Sequence, residues 1–192
     1  MILTAFRRRR QDRTIQALYG AIVAQARSVD FYARYGVPDT VEGRFELIVL
    51  HLVLLLARLG GDQTPGRGGS LQGEIAQPLF DVFCRDLDDN LREMAVGDMA
   101  VPRRMRAFGE AFYGRKAAYT AALGEADNAA LENALARNIF GVAAADDRAV
   151  RLARYARAAA IGLSAMPEDA LLAAGRAAEQ IMFPRPESFA DA

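Results

Sequence analysis

One cysteine, one histidine, one lysine and no tryptophan occur in 192 residues. A lone thiol, Cys84, excludes an internal disulfide and any zinc site built on several thiolates. It suits a reducing compartment. Four serines and five threonines complete a thin supply of nucleophiles and bases for an enzyme. Charge of one sign is also missing. Lys+Arg and Asp+Glu both number 24, so no global field draws the chain to nucleic acid or anionic lipid, and no DNA partner is expected. Arginine fills 23 of the 24 basic positions, a bias read as genome composition rather than phosphate binding. Nor is there a long apolar run. Leu47–Ala57, at 11 residues, is well short of the roughly 20 needed to span a bilayer. The start, MILTAFRRRRQDR, places its arginines after a short apolar stretch, and TIQALYGAIVAQAR is a broken amphipathic pattern, unlike a secretory signal. The expected location is cytoplasmic, with peripheral contact at the cytoplasmic face of the inner membrane.

What is present favours helix. About half of the chain is apolar, much of it Ala and Leu. The length allows one domain with a substantial core. Residues 1–12 read as a mobile basic tail, 13–183 as a single helical domain and 184–192 as a C-terminal tail. A helix is predicted from Arg13 to Arg34, with a joint near Ser28 and a stop at Gly36-Val37-Pro38. Asp39 and Glu42 read as a capping box opening a helix to Leu59. Between Leu47 and Ala57 only His51 is polar. A helix apolar all round must be buried all round, which makes this one central. Gly60–Gly73, with six glycines and a proline, reads as a flexible loop. Pro78 is taken as a first-turn proline of a helix to Met94. Its inner stripe is Phe80, Phe83, Cys84, Leu87, Leu91 and Met94. Asp81, Arg85, Asp88 and Arg92 lie opposite at i+4, i+3, i+4 steps. Further helices are predicted for Pro102–Leu123, Asn128–Phe140, Asp146–Leu163 and Pro167–Met182. The expected fold is an all-α bundle of six to eight helices.

Chemistry-bearing groups are few. His51 inside an apolar helix reads as hydrogen-bonded structure, because a haem or metal ligand would need a second histidine. Asp86, Asp88 and Asp89 invite comparison with magnesium-dependent prenyl-diphosphate enzymes. Those need a second facing acidic cluster, and Asp146-Asp147 is better explained as a helix cap. Arg7–Arg10 and Arg103, Arg104 and Arg106 are basic patches for which solvated surface is the plain explanation. In Phe112-Tyr113-Gly114-Arg115 one aromatic should face the core, and the stripe selects Phe112. Tyr113 and Arg115 are then residue types favoured at binding hot spots.

Taken in order, FYARYGVPDTVEGRFELIVLHL, LFDVFCRDLDDNLREM, VGDMAVPRRMR and GEAFYGR resemble the ubiquinol–cytochrome c chaperone family, with a weaker echo in ALARNIFG. The resemblance covers Phe31–Leu123, about half of the chain. It implies a non-enzymatic helical protein, without cofactor, metal or small-molecule substrate. Such a protein binds newly made cytochrome b, apo or partly haem-loaded, during assembly of ubiquinol–cytochrome c reductase. It also implies transient contact with the ribosome or the inner-membrane surface. The density of charge on the Pro78–Met94 helix and the Val96–Arg106 turn, with the Tyr113 and Arg115 pair, makes Asp81, Arg85, Asp88, Asp89, Arg92, Glu93, Asp98, Arg103, Tyr113 and Arg115 the candidate client- or partner-binding residues. Two other readings of the same residues are an all-α interaction module with an unrelated partner and, more remotely, the prenyl-diphosphate enzyme.

Overall fold

The apolar segment behaves as its composition demands. In the computed structural model, α3 (Val41–Arg58) buries every residue from Val49 to Leu56. The structure describes residues 2–60, 71–93, 100–167, 169–171 and 183–190. Around α3 stand α1 (Ile2–Ala26), α4 (Leu71–Glu93), α5 (Val101–Gly124), α6 (Ala129–Leu135) and α7 (Asp147–Ala165). Each packs on the next, α1 on α4, α4 on α5, α5 on α6 and α6 on α7, while α1, α5 and α7 also touch α3. A side-chain bond from Gln25 Nε2 to the Tyr155 hydroxyl, 2.9 Å, links α7 back to α1. Short α2 (Val29–Ala33) follows α1, and α8 (Glu187–Ala190) packs on α7. The described residues contain no strand.

Local chemistry sets the boundaries. Ser28 separates α1 from α2, at the predicted joint. Gly36 then takes φ +68°, a conformation that favours glycine. The N-cap of α3 is Thr40, one residue beyond the predicted Asp39. Its extended backbone lets the hydroxyl accept from Gly43 N at 3.1 Å. Asp39 instead pairs with Arg44 at 2.8 Å. Gly43 has no substitute, because a Cβ there would lie 2.0 Å from the Pro38 carbonyl oxygen. Asp146 caps α7 by accepting from Arg148 N and Ala149 N, both at 3.1 Å. Leaving α6, the helix widens into a π turn, Ala136–Phe140, and stops at Gly141 with φ +66°. Two arginines from neighbouring helices satisfy carbonyls at helix ends. Arg58 donates to Leu163 O and Met166 O, both at 2.8 Å, and Arg157 donates to Ala122, Leu123, Glu125 and Asp127 oxygens.

Three expectations are revised. Residues 2–12, read as a tail, are helical and open α1. The charge run hid this, but Gln11 docks on α4. Second, residues 71–73 of the predicted loop are helical, so Pro78 lies inside α4 rather than in its first turn. A proline there cannot donate to the carbonyl four residues back, that of Glu74. Gln11 Nε2 supplies the missing donor, at 2.9 Å from Glu74 O. Third, the segment from Pro184, read as a tail, packs back on the bundle. Gln25 Nε2 donates to Pro184 O at 3.0 Å, and the buried Tyr35 hydroxyl donates to Pro186 O at 2.7 Å. The loop residues 61–70, Met94 and the helix predicted over 172–182 lie outside the described residues.

Candidate functional site

The charged face of α4 is solvent-facing, as its spacing requires. Asp81, Arg85, Asp89, Arg92 and Glu93 are exposed and Asp88 is partly so. Arg92 Nε meets Asp88 Oδ2 at 2.7 Å, the expected i, i+4 pair. Asp81 accepts from Gln77 Nε2 at 2.7 Å, and Arg85 bonds the Asp81 carbonyl rather than its carboxylate. On the adjoining α5, Phe112 is buried and Tyr113 is 49% exposed. The Tyr113 ring lies 6.0 Å from Phe80 of α4 and 5.5 Å from Phe112, so α4 and α5 share an aromatic edge. Arg103 is exposed near the start of α5. Asp98 lies outside the described residues.

Arg115 takes a different direction. Its guanidinium turns inward and grips Glu46 of α3 with two bonds, 2.6 and 2.5 Å. The two side chains are only 20% and 10% exposed. Burial pushes the Glu46 carboxyl up, and Arg115 pulls it part of the way back. Nothing local signals this pair, since 69 positions separate the partners. Tyr19 is a second long-range contact that spacing does not reveal. Its hydroxyl donates to Asp86 Oδ2 at 2.7 Å.

Those contacts also divide the acidic run of α4. Asp86 faces Tyr19 and Asp88 faces Arg92, so the two carboxylates serve different surfaces. Asp146 is occupied by its cap bonds and by Arg148 at 2.6 Å. Hydrogen bonding to Arg148 holds its carboxyl below the usual range. Among the described residues no group of three His, Cys, Asp or Glu side chains could hold a metal ion. Burial pushes the Cys84 thiol up, and Asp81 adds to it, so a reactive thiolate is disfavoured.

His51 is fully buried, and both ring nitrogens are engaged. Nδ1–H donates to Leu47 O at 2.7 Å, which leaves Nε2 to accept from the Tyr155 hydroxyl at 2.8 Å. Phe31 and Phe183 pack edge-on at 5.4 and 4.9 Å. Burial lowers its pKa to about 4 against the pull of the Leu47 bond. The ring is neutral at pH 7 and has no lone pair free for a ligand.

The arrangement is a charged helix face beside an aromatic edge, both resting on the buried core. The sequence model of the family described as ubiquinol-cytochrome C chaperone matches residues 33–178. This chain belongs to the ubiquinol–cytochrome c chaperone family. The crystal structure of the Cbp3 homolog from Brucella abortus is similar throughout, with TM-score 0.81 and 35% identity over 98% of this chain and 99% of that one. No curated protein matches. The family match takes in α3 to α7, including the Glu46–Arg115 pair and the α4–α5 edge, whereas α1 lies ahead of it. Among the described residues of this family member, no helix is long and apolar enough to cross a membrane.

Proposed function

We propose that this protein is an assembly chaperone that binds newly made cytochrome b and supports biogenesis of ubiquinol–cytochrome c reductase. Membership of the ubiquinol–cytochrome c chaperone family carries this reading. The geometry supports it: the exposed features are surfaces for a protein partner, and the one histidine is spent on the core. An unassembled membrane protein exposes apolar area that promotes aggregation, and a partner with an amphipathic face can cover it. The docking edge is the outer face of α4, Asp81 to Glu93, with Tyr113 and Arg103 of α5 beside it. Arg115 acts from behind, by fixing α5 against α3. The protein works at the cytoplasmic face of the inner membrane, where its client is inserted, and performs no catalysis.

The test is cytochrome b protein and b-type haem in membranes of cells lacking the gene. Selective loss, reversed by restoring the chain, is expected. Unchanged cytochrome b during respiratory growth would overturn the reading. The docking edge has its own test. Asp88→Ala, Asp89→Ala and Arg92→Ala together should leave the fold intact and weaken cytochrome b binding about thirtyfold, a hot-spot-sized loss. A folded triple variant with wild-type affinity would place the edge elsewhere.

A further inference from the structure

Between α1, α3 and α4 the bundle leaves a trough of about 690 Å³. Its walls follow a pattern. Gln16, Gly20 and Val23 of α1, with Arg27 just past its end, line it at i, i+4, i+7, i+11. From α3 come Val41, Phe45 and Ile48, and from α4 come Phe83, Leu87 and Asn90, each set at i, i+4, i+7. Three helices therefore turn one face each toward a common axis, the lining a bundle presents to one more helix. Val23, Phe45, Ile48 and Leu87 are only partly buried, and Val41 at the mouth is 61% exposed. Gly20 faces open space, and Ala24 lies one turn on from it. Small side chains at that spacing let another backbone approach closely. Gln16 and Arg27 are eleven positions apart, about 16 Å, or three helical turns.

Two arginines, Arg27 and Arg44, line the trough. Both lower the Tyr32 phenol against its burial, while Asp39 raises it. Arg44 is paired with Asp39. Arg27 is exposed and pairs with no carboxylate among the described residues. Asp86, the acid in the wall, is turned to the Tyr19 hydroxyl.

We infer that the trough seats a helical segment of the membrane-protein client, apolar along one face for three turns and carrying an acidic side chain at the end that meets Arg27. The inference rests on the chaperone reading and locates the client's apolar contact beside the charged edge. The edge steers and the trough covers. Apolar area on an unassembled helix is what needs shielding, and the Arg27 guanidinium, which meets no carboxylate among the described residues, selects for one.

The test uses the full chain in cells that make cytochrome b. A photoreactive side chain placed at Ala24 or Asn90 should crosslink to cytochrome b, while one at Ile161, on the α7 surface, should not. Gly20→Leu with Ala24→Leu fills the trough from a helix that tolerates both, since leucine is the better helix former at residue 20. This variant should keep its melting temperature and lose cytochrome b at least about tenfold. Arg27→Glu should cut recovery about threefold, and more steeply at low salt. If the filled variant binds cytochrome b at wild-type level, or crosslinks form at Asp89 and Tyr113 but not at Ala24 and Asn90, the trough is overturned and the chaperone reading stands. If no position crosslinks to cytochrome b, both fall. A self-associated chain that the filled variant dissociates, with cytochrome b recovery unchanged, would assign the trough to a second copy and overturn the proposal.

Discussion

Replacing Arg115 with Met keeps the packing of its stem and removes its charge from Glu46. The carboxylate is then left 10% exposed with its main partner gone. Removing one member of a buried pair commonly costs about 3–5 kcal/mol. Here the carboxyl can escape by taking a proton, which sets a ceiling. From its ordinary value of 4.5, protonation at pH 7 costs about 3 kcal/mol at 1.36 kcal/mol per pH unit. The sign follows from proton counting. Without Arg115 to oppose burial, the folded pKa of Glu46 rises further, so the variant takes up a proton in the folded state that the unfolded chain has lost, and its stability falls as pH rises through that window. Arg115→Met should therefore lose up to about 3 kcal/mol relative to wild type at pH 7, and the loss should shrink as pH falls toward 4.5. Urea unfolding of both proteins between pH 4.5 and 7.5 measures this directly. Glu46→Gln added to Arg115→Met should abolish the pH dependence. A loss independent of pH, or a double variant as unstable as the single at pH 7, would refute the reasoning.

His51 works with the opposite sign. Its folded pKa of about 4 lies below the ordinary 6.5, so its contribution is complete above pH 6.5. About 3 kcal/mol should be lost as pH falls from 6.5 to 4. Thermal unfolding of His51→Gln should show a flatter profile across that window, and an unchanged slope would remove His51 as the cause. Gln11→Ala should cost about 1 kcal/mol by leaving the Glu74 carbonyl without its side-chain donor. In a Pro78→Ala background the new N–H serves that carbonyl, so the cost of Gln11→Ala should vanish in a double-mutant cycle. Equal costs in both backgrounds would mean that the bond does not answer the proline.

Periodicity made most of the fold legible. The stripe that places Phe112 inward and Tyr113 outward, the apolar stretch that makes α3 central and the Asp146 cap are all decided within one or two helical turns. What the sequence concealed depends on partners far along the chain. Pro78 reads as a helix start because its tolerance inside α4 depends on Gln11. Arg115 reads as surface because its partner is on α3. The basic run at residues 7–10 reads as a tail because nothing local shows that the next turn docks on α4. The trough is invisible in the sequence for the same reason. Each wall is ordinary on its own helix, and only the packing reveals three faces turned to one axis.

The return of the C-terminal segment also sets an order of events during synthesis. Tyr35 and Gln25 find their acceptors, Pro186 and Pro184, 151 and 159 positions later. Loops of that length close late, after local helices have formed. A nascent chain that has reached residue 182 holds the sequence of α1, α3 and α7 but lacks Phe183 and Phe189, which pack against His51 and Tyr155. Until those last rings arrive, the aromatic centre stands open on one side. A stop codon just before Phe183 would therefore remove a wall of the core and leave the shortened product exposed to proteolysis.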